Sequence, residues 1–93
     1  MTTPETKSPQ HAAPELARRH AVILHNDEVN SMDHVVDALL HSVPELSHND
    51  AVSVMLEAHT KGRAVVTVRP LTTAELYRDR LWSLGLEATV EPA

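Results

Sequence analysis

The chain has 93 residues, which is enough for one small domain, and its 42% hydrophobic and 23% charged content is typical of globular proteins. Eight Lys and Arg residues against 13 Asp and Glu residues give a formal net charge of −5, so the sequence lacks the basic surface that attracts nucleic acid or anionic lipid. The absence of Cys excludes disulfides, thiolate nucleophiles and Cys-based zinc sites.

Residues 1–18 are rich in Pro, Thr and Ala and contain few large aliphatic side chains. Such a segment buries too little apolar surface to offset the entropy lost on ordering. We therefore predict a mobile N-terminal extension over 1–18 and one folded core over 19–93. The sequence has neither a signal-peptide pattern nor the roughly 18 consecutive apolar residues of a membrane span, so we expect a cytoplasmic location.

The first strand and the first helix follow each other at the start of the core. Residues 21–24 are apolar and rich in β-branched types, which favours a short strand that ends at a polar loop. Beyond the loop, apolar residues recur at helical spacing from Met32 until Pro44 stops the helix. Either Asn30 or Ser31 supplies the N-cap of this helix.

A second helix and a second strand come next. Ser47 and Asp50 have the spacing of a capping box, and Gly62 has the position of a left-handed C-cap. Residues 64–68, Ala-Val-Val-Thr-Val, are typical of a strand. The segment therefore predicts a helix from about Ser47 to Gly62, followed by a strand.

The last third of the core predicts a third helix and a third strand. Thr72 and Glu75 form a second capping box, and Gly85 ends the helix. Residues 86–91 alternate between apolar and polar types, the period of a half-buried strand. The buried edge of the third helix is predicted to contain Ala74, Tyr77, Leu81 and Leu84.

The predicted order βααβαβ specifies an α+β fold. Two helices between the first and second strands allow these strands to run antiparallel, whereas the single helix between the second and third makes that pair parallel. If the first strand lies in the middle, every neighbouring pair is antiparallel. We expect a three-stranded antiparallel sheet with three helices on one face, a two-layer sandwich.

Seven His residues raise the question of a metal site. His34, Asp37 and His41 share one face of the first helix, opposite its apolar stripe. No recognised ligand spacing is present, so we interpret this face as solvated and predict neither a metal nor a cofactor. The sequence also lacks a nucleophile elbow and a phosphate-binding glycine cluster, which argues against an enzyme.

A cluster of hydrogen-bond acceptors follows the first strand. His25, Asn26, Asp27 and Glu28 stand in the loop before the first helix, where Asn and Asp usually form turns. His59 is predicted to lie on the inner side of the second helix, one turn after Met55. By themselves these positions are compatible with ordinary turn and core roles.

Three segments, AVILHNDEVNSMDHVVDALL, AVSVMLEAHTKGRAVV and TTAELYRDRLWSLGLEATVE, together resemble the ClpS family of adaptors for Clp ATP-dependent proteases over residues 19–91. The most specific matches, in family order, are Asn26, Asp27, Met32, Met55, His59 and Gly62. The resemblance implies the same βααβαβ sandwich. The short third helix is similar to that of actinobacterial members.

The resemblance implies an adaptor that binds proteins with a bulky hydrophobic first residue, Leu, Phe, Tyr or Trp, and delivers them to a Clp AAA+ unfoldase of the ClpA or ClpC type. It assigns the binding of the substrate amine to Asn26, Asp27, Glu28 and His59. A hydrophobic pocket for the first side chain is assigned to Met32, Val35, Met55, Ala58 and Leu86. Loop contacts are assigned to Asn30 and Ser31.

Several residues depart from the family pattern. Asn30 and Ser31 stand where Thr and Pro are frequent, Glu28 stands where a second Asp is common, and Ala58 replaces a frequent Val. The smaller Ala58 is expected to enlarge the pocket. Hydrogen bonding and side-chain preference are therefore open, as are the preferred first residue and the identity of the unfoldase.

Two functional hypotheses remain. The first is the adaptor that reads N-termini, acting as a monomer without catalysis and binding neither nucleic acid nor membranes. The second is a non-enzymatic interaction domain of the same fold that docks on a Clp ATPase without reading N-termini. Peptide binding that depends on a free N-terminus distinguishes the two.

Overall fold

The computed structural model describes residues 17–93. Its strands are β1 (Arg19–His25), β2 (Arg63–Pro70) and β3 (Ala88–Pro92), and its helices are α1 (Met32–Ser42), α2 (His48–Lys61) and α3 (Leu71–Ser83). The extension predicted over residues 1–18 lies almost wholly outside the described residues and stays a prediction. Within 17–93 no helix is long and apolar enough to cross a bilayer, and the cytoplasmic location also stays a prediction.

The three strands form one sheet in the order β2-β1-β3, and β1 is antiparallel to both neighbours. The predicted α+β sandwich, with β1 in the middle of an antiparallel sheet, is confirmed. The register between β1 and β2 shifts between Val22 and Ile23, where β2 carries one extra residue. In a regular strand, the side chains of Val66 and Thr67 would point to opposite faces of the sheet. The bulge interrupts this alternation and brings both side chains towards the helices.

An ion pair joins the two outer strands of the sheet. Arg63 of β2 and Glu91 of β3 meet at 2.7 Å, across the central strand. The register places Arg63 beside His25 and Glu91 beside Ala21, so the pair passes over Ile23 between them. Ile23 is only 1% exposed, although no helix packs on its face of the sheet in the described part of the chain.

The helices form the second layer. Helices α2 and α3 pack on the sheet, whereas α1 packs mainly against α2 and α3. The core lies between the layers and is built from aliphatic side chains of all six elements, including Val22, Leu24, Leu39, Ala51, Ala64, Leu81 and Ala88. Since α1 rests on other helices, its first turn lies beside the end of β1, and a pocket opens between them.

Most of the predicted helix boundaries are confirmed. Ser31 is the N-cap of α1, and its side chain accepts a hydrogen bond of 3.1 Å from the His34 N–H. Ser47 and Asp50 form the reciprocal capping box of α2. Gly62 caps α2 with a φ of +94°, a left-handed conformation that favours glycine.

The predicted capping box at Thr72 and Glu75 is wrong. Helix α3 begins at Leu71, with Pro70 as its N-cap, and no side chain caps its first turn. Strand β2 runs into the helix without a loop: Pro70 is the last residue of β2 and, with a φ of −57° and a ψ of 154°, is also the N-cap of α3. Thr72 therefore already lies inside the first turn.

Glu45, in the loop between α1 and α2, ties this loop to the sheet and to α3. Its carboxylate accepts hydrogen bonds from the Tyr77 hydroxyl at 2.8 Å, from Thr67 Oγ1 at 3.1 Å and from Arg69 Nε at 3.0 Å. Burial raises the pKa of Glu45, but the hydrogen bonds and the charge of Arg69 outweigh it and lower the pKa below its usual range. Burial, together with Glu45, raises the pKa of Tyr77.

The depressed pKa of Glu45 predicts how stability depends on pH. The stability that the charged Glu45 carboxylate contributes is fully present above the unfolded-state pKa of this group. It is lost as the pH falls through the lower folded-state pKa. We expect Glu45→Gln to be less stable than the parent at pH 7, and this difference to shrink as the pH falls below about 4.5. Urea unfolding at a series of pH values measures the difference in the free energy of unfolding between the parent and Glu45→Gln.

The matched control is Glu57→Gln, since Glu57 is exposed on α2. A difference between parent and Glu57→Gln that shows the same pH dependence would contradict the role given to Glu45.

Candidate functional site

A shallow pocket opens between the end of β1, the first turn of α1 and the last turns of α2. It contains about 280 Å³ of empty space, part of which is open to solvent. Its lining consists of Leu24, His25, Asn26, Asp27, Asn30, Met32, Val35, Met55, Ala58 and His59. One side of the pocket is polar and the other is apolar.

Backbone hydrogen bonds place the loop at the polar side. The N–H of His25 donates to the carbonyl of Glu87 at 3.0 Å, and the N–H of Asn26 donates to the carbonyl of Gly62 at 3.0 Å. Gly62 ends α2 one turn after His59, so these bonds bring the loop next to the last turn of α2. The Asn26 and His59 side chains consequently line the same pocket.

Asp27 organises the loop that follows. Its Oδ1 accepts hydrogen bonds from the N–H groups of Val29 at 2.7 Å and Asn30 at 3.0 Å, and its Oδ2 accepts one from the Asn30 side chain. Burial raises the pKa of Asp27, but these hydrogen bonds and the nearby His34 outweigh it and lower the pKa. The carboxylate is therefore charged at neutral pH and adds negative charge to the pocket.

The Asn26 amide is held at both ends. Its Oδ1 accepts the N–H of Asp27 at 2.9 Å, and its Nδ2 donates to a carboxylate oxygen of Glu28 at 2.8 Å. A carbonyl oxygen has two lone pairs, so Oδ1 can accept one further hydrogen bond. Glu28 is exposed and does not line the pocket, but it fixes the orientation of the Asn26 amide.

The apolar side has a buried floor and an exposed edge. Val35 of α1 and both Met55 and Ala58 of α2 are less than 10% exposed and form the floor. Met32, in the first turn of α1, is 47% exposed and stands at the edge. The pocket can therefore accept an apolar side chain beside a positively charged group.

The structure brings most of the predicted site residues together, but not all. Glu28 is exposed beside the pocket, and Ser31 is occupied as the N-cap of α1. Leu86 is 3% exposed and belongs to the core. The structure adds Leu24, predicted in the first strand, and His25, predicted in the polar loop; their position where the strand meets the loop is the available signal.

His59 differs from its predicted placement. Its side chain is exposed, whereas the sequence predicts an inner position one turn after Met55. The residue belongs to the last turn of α2, beside the open mouth of the pocket, so its ring lines the pocket without being enclosed by the core. Its imidazole is accessible to a ligand.

The face of α1 with His34, Asp37 and His41 is only partly solvated, so the prediction for it is partly wrong. His34 is half-buried, and its Nε2 lies 2.7 Å from the carbonyl oxygen of Leu84 at the end of α3. The three residues border an open, mainly apolar groove over Ala38 and Leu84. Within residues 17–93, no group of three or more His, Asp and Glu residues is arranged to hold a metal ion.

The family model described as ATP-dependent Clp protease adaptor protein ClpS matches residues 15–89. A ClpS adapter protein of Synechococcus sp. (strain CC9902) is 46% identical over an alignment of 96 positions, and the alignment covers 94% of this chain and 92% of the relative. The ClpS adapter protein of Synechococcus elongatus is 42% identical over 89 residues, 96% of this chain and 90% of the relative. The similarity to actinobacterial members stays a prediction.

Among solved structures, that of Agrobacterium tumefaciens ClpS2 bound to L-phenylalaninamide is similar, with a TM-score of 0.77 and 29% sequence identity. The match covers 83% of this chain and 99% of that protein. Sequence and fold thus agree over nearly the whole described core. The chain belongs to the ClpS family of adaptor proteins for the ATP-dependent Clp protease.

Proposed function

We propose that this protein binds substrates through a bulky hydrophobic N-terminal residue (Leu, Phe, Tyr or Trp) and delivers them to a Clp AAA+ unfoldase for degradation. The observation that carries the proposal is the pocket in which hydrogen-bond acceptors of the β1–α1 loop adjoin an apolar floor. Agrobacterium ClpS2 is solved with L-phenylalaninamide, which combines a free α-amine with a bulky side chain. That ligand has the chemistry this pocket can accept.

The polar side suits a free α-amino group. Such a group has a pKa of about 8 and is mostly an ammonium ion at neutral pH. The free lone pair of Asn26 Oδ1 and a neutral nitrogen of His59 accept from it, while the charged Asp27 stabilises it from a greater distance. Charge-assisted hydrogen bonds contribute about 1.5–3 kcal/mol each. Acetylation removes the charge and most of the donors, so it removes this contribution.

The apolar side suits the first side chain of the substrate. Burying a Leu or Phe side chain against Val35, Met55 and Ala58 contributes about 1.5–3 kcal/mol. Leu86 belongs to the same core cluster as these three residues. Together the two sides are sufficient for micromolar affinity, about −8 kcal/mol.

The other components of the proposal concern partners. The unfoldase is of the ClpA or ClpC type, and the adaptor acts as a monomer that catalyses no reaction. Residues 1–18 serve in delivery, as an extension that the unfoldase engages. Membership in a family of Clp protease adaptors supports the unfoldase as partner.

Three peptides that differ only at the N-terminus test the proposal by fluorescence anisotropy: free Leu, free Val and acetylated Leu. We expect the free Leu peptide to bind in the micromolar range and the other two at least about tenfold more weakly, because acetylation removes the amine and because we propose that Met32, at the pocket edge, excludes β-branched side chains such as Val. Equal binding of the free and acetylated Leu peptides would overturn the proposal. Binding to none of the peptides would favour the interaction domain that does not read N-termini.

A further inference from the structure

Asn30 connects the pocket loop to a distant part of the chain. Its Nδ2 donates one hydrogen bond to the Asp27 carboxylate and a second, of 2.9 Å, to the carbonyl oxygen of Gly85. An amide NH₂ group has two donors, and both are used here. One side chain thus joins the β1–α1 loop to the turn between α3 and β3, which lies 55 residues further along the chain.

The turn is shaped to receive this bond. Gly85 has a φ of +86°, a left-handed conformation that directs the chain out of α3 towards β3. The preceding carbonyl, that of Leu84, is contacted by the His34 side chain at 2.7 Å. Two consecutive carbonyls at the end of α3 are therefore bound by two side chains from the neighbourhood of the pocket.

In the sequence, Asn30 and His34 flank Met32, the residue at the edge of the pocket. Asn30 precedes the N-cap Ser31, and Met32 stands between Asn30 and His34. The first turn of α1 is thereby fastened to the end of α3, and the Asp27 carboxylate is fastened to the same point through Asn30. Both the edge of the apolar side and the loop of the polar side are therefore attached to the turn after α3.

Few other side chains can donate hydrogen bonds to both the Asp27 carboxylate and the Gly85 carbonyl. Thr or Ser has a single hydroxyl donor and cannot donate to two acceptors at once, and Asp has no donor when ionised. Ala makes neither bond. The two hydrogen bonds therefore require the two donors of the Asn30 amide.

We propose that Asn30 is a positioning residue of the pocket, which holds Met32 and the Asn26–Asp27 loop in the binding geometry without contacting the substrate amine. The inference rests on the proposed function, since it concerns the same pocket. Without the connection, the free protein must order the loop when it binds a ligand, which lowers affinity. A less fixed Met32 also discriminates less between Leu and the β-branched Val.

The sharpest variant is Asn30→Asp, which keeps the shape, removes both donors and places a negative charge near the amine. If Asn30 acted only through local charge, this variant would bind the ammonium of the Leu peptide more tightly. A positioning role instead predicts that Asn30→Asp binds the Leu peptide more weakly. We expect Leu-peptide affinity to fall about tenfold in both Asn30→Asp and Asn30→Ala, and the preference for Leu over Val to fall at least about threefold.

The matched control is Asn49→Ala, because Asn49 is exposed in the first turn of α2 and does not line the pocket. It should leave affinity and preference unchanged. Urea unfolding and circular dichroism identify a variant that fails to fold. Parental Leu affinity and parental Leu-to-Val preference in folded Asn30 variants would overturn the inference, as would tighter binding by Asn30→Asp.

Amide hydrogen exchange in the free protein separates this inference from the proposed function. The N–H groups of Val29 and Asn30 donate to Asp27, so exchange at these two amides should accelerate in Asn30→Ala and remain unchanged in Asn49→Ala. If the parent protein bound no peptide, the proposed function would fail while the exchange result still tested whether Asn30 holds the loop. Unchanged exchange in Asn30→Ala would overturn the positioning role directly.

Discussion

Leu81→Ala is expected to remove most of the stability of the domain. Leu81 is 0% exposed and packs in the core between the sheet and the helices. Truncating a fully buried Leu costs about 2–5 kcal/mol, through the lost transfer free energy and the cavity that remains. A single-core domain of this size has only about 5 kcal/mol or somewhat more to lose. Urea unfolding monitored by circular dichroism measures the change.

The control for this prediction is Leu76→Ala on the same helix. Leu76 is 48% exposed, and the substitution places the same residue in the same helical environment without opening a buried cavity. Its effect should stay within about 1 kcal/mol. Similar losses for the two variants would mean that packing of α3 on the sheet is not what makes Leu81 important.

The fold was predictable because local rules and global topology agree. Apolar spacing located α1, the capping box of Ser47 and Asp50 located the start of α2, and Gly62 marked its end. The number of helices between successive strands then determined the strand directions. Each of these signals acts over a few residues or through the connectivity alone, so a single sequence contains them.

The errors have a different origin. The Thr72 and Glu75 pair has the right spacing for a cap, but Pro70 starts α3 earlier because β2 reaches that point without a loop. Leu86, which the family resemblance assigns to the pocket, lies in the core and outside the pocket lining, and its assignment stays a prediction. In both cases tertiary placement, which spacing does not encode, decides the outcome.

The interactions between distant residues were out of reach of sequence reasoning. The bond from Asn30 to Gly85 spans 55 residues, and that from Tyr77 to Glu45 spans 32 residues. Neither pair has a local pattern, because hydrogen-bond partners of this kind are specified only when the elements have packed. The hydrogen bonds that Asp27 accepts within its own loop can be predicted from local sequence rules. The attachment of this loop to the end of α3 cannot.

Asn26→Ala should have the largest effect on substrate binding. The substitution removes the acceptor that we propose for the α-amino group, and a charge-assisted hydrogen bond of about 1.5–3 kcal/mol corresponds to a loss of about 10- to 150-fold in affinity. Binding of the acetylated Leu peptide, which presents no ammonium, should change much less. Fluorescence anisotropy with both peptides measures this difference within one variant.

The Asn26 side chain also accepts the N–H of Asp27 and donates to Glu28, so its removal could disturb the loop instead. The two explanations differ in what happens at Val29 and Asn30, whose amides are held by Asp27. Parental hydrogen exchange at these amides, combined with a loss confined to the free-amine peptide, assigns the effect to the lost acceptor. Equal losses for the free and acetylated peptides would remove Asn26 from amine recognition and leave it a structural role in the loop.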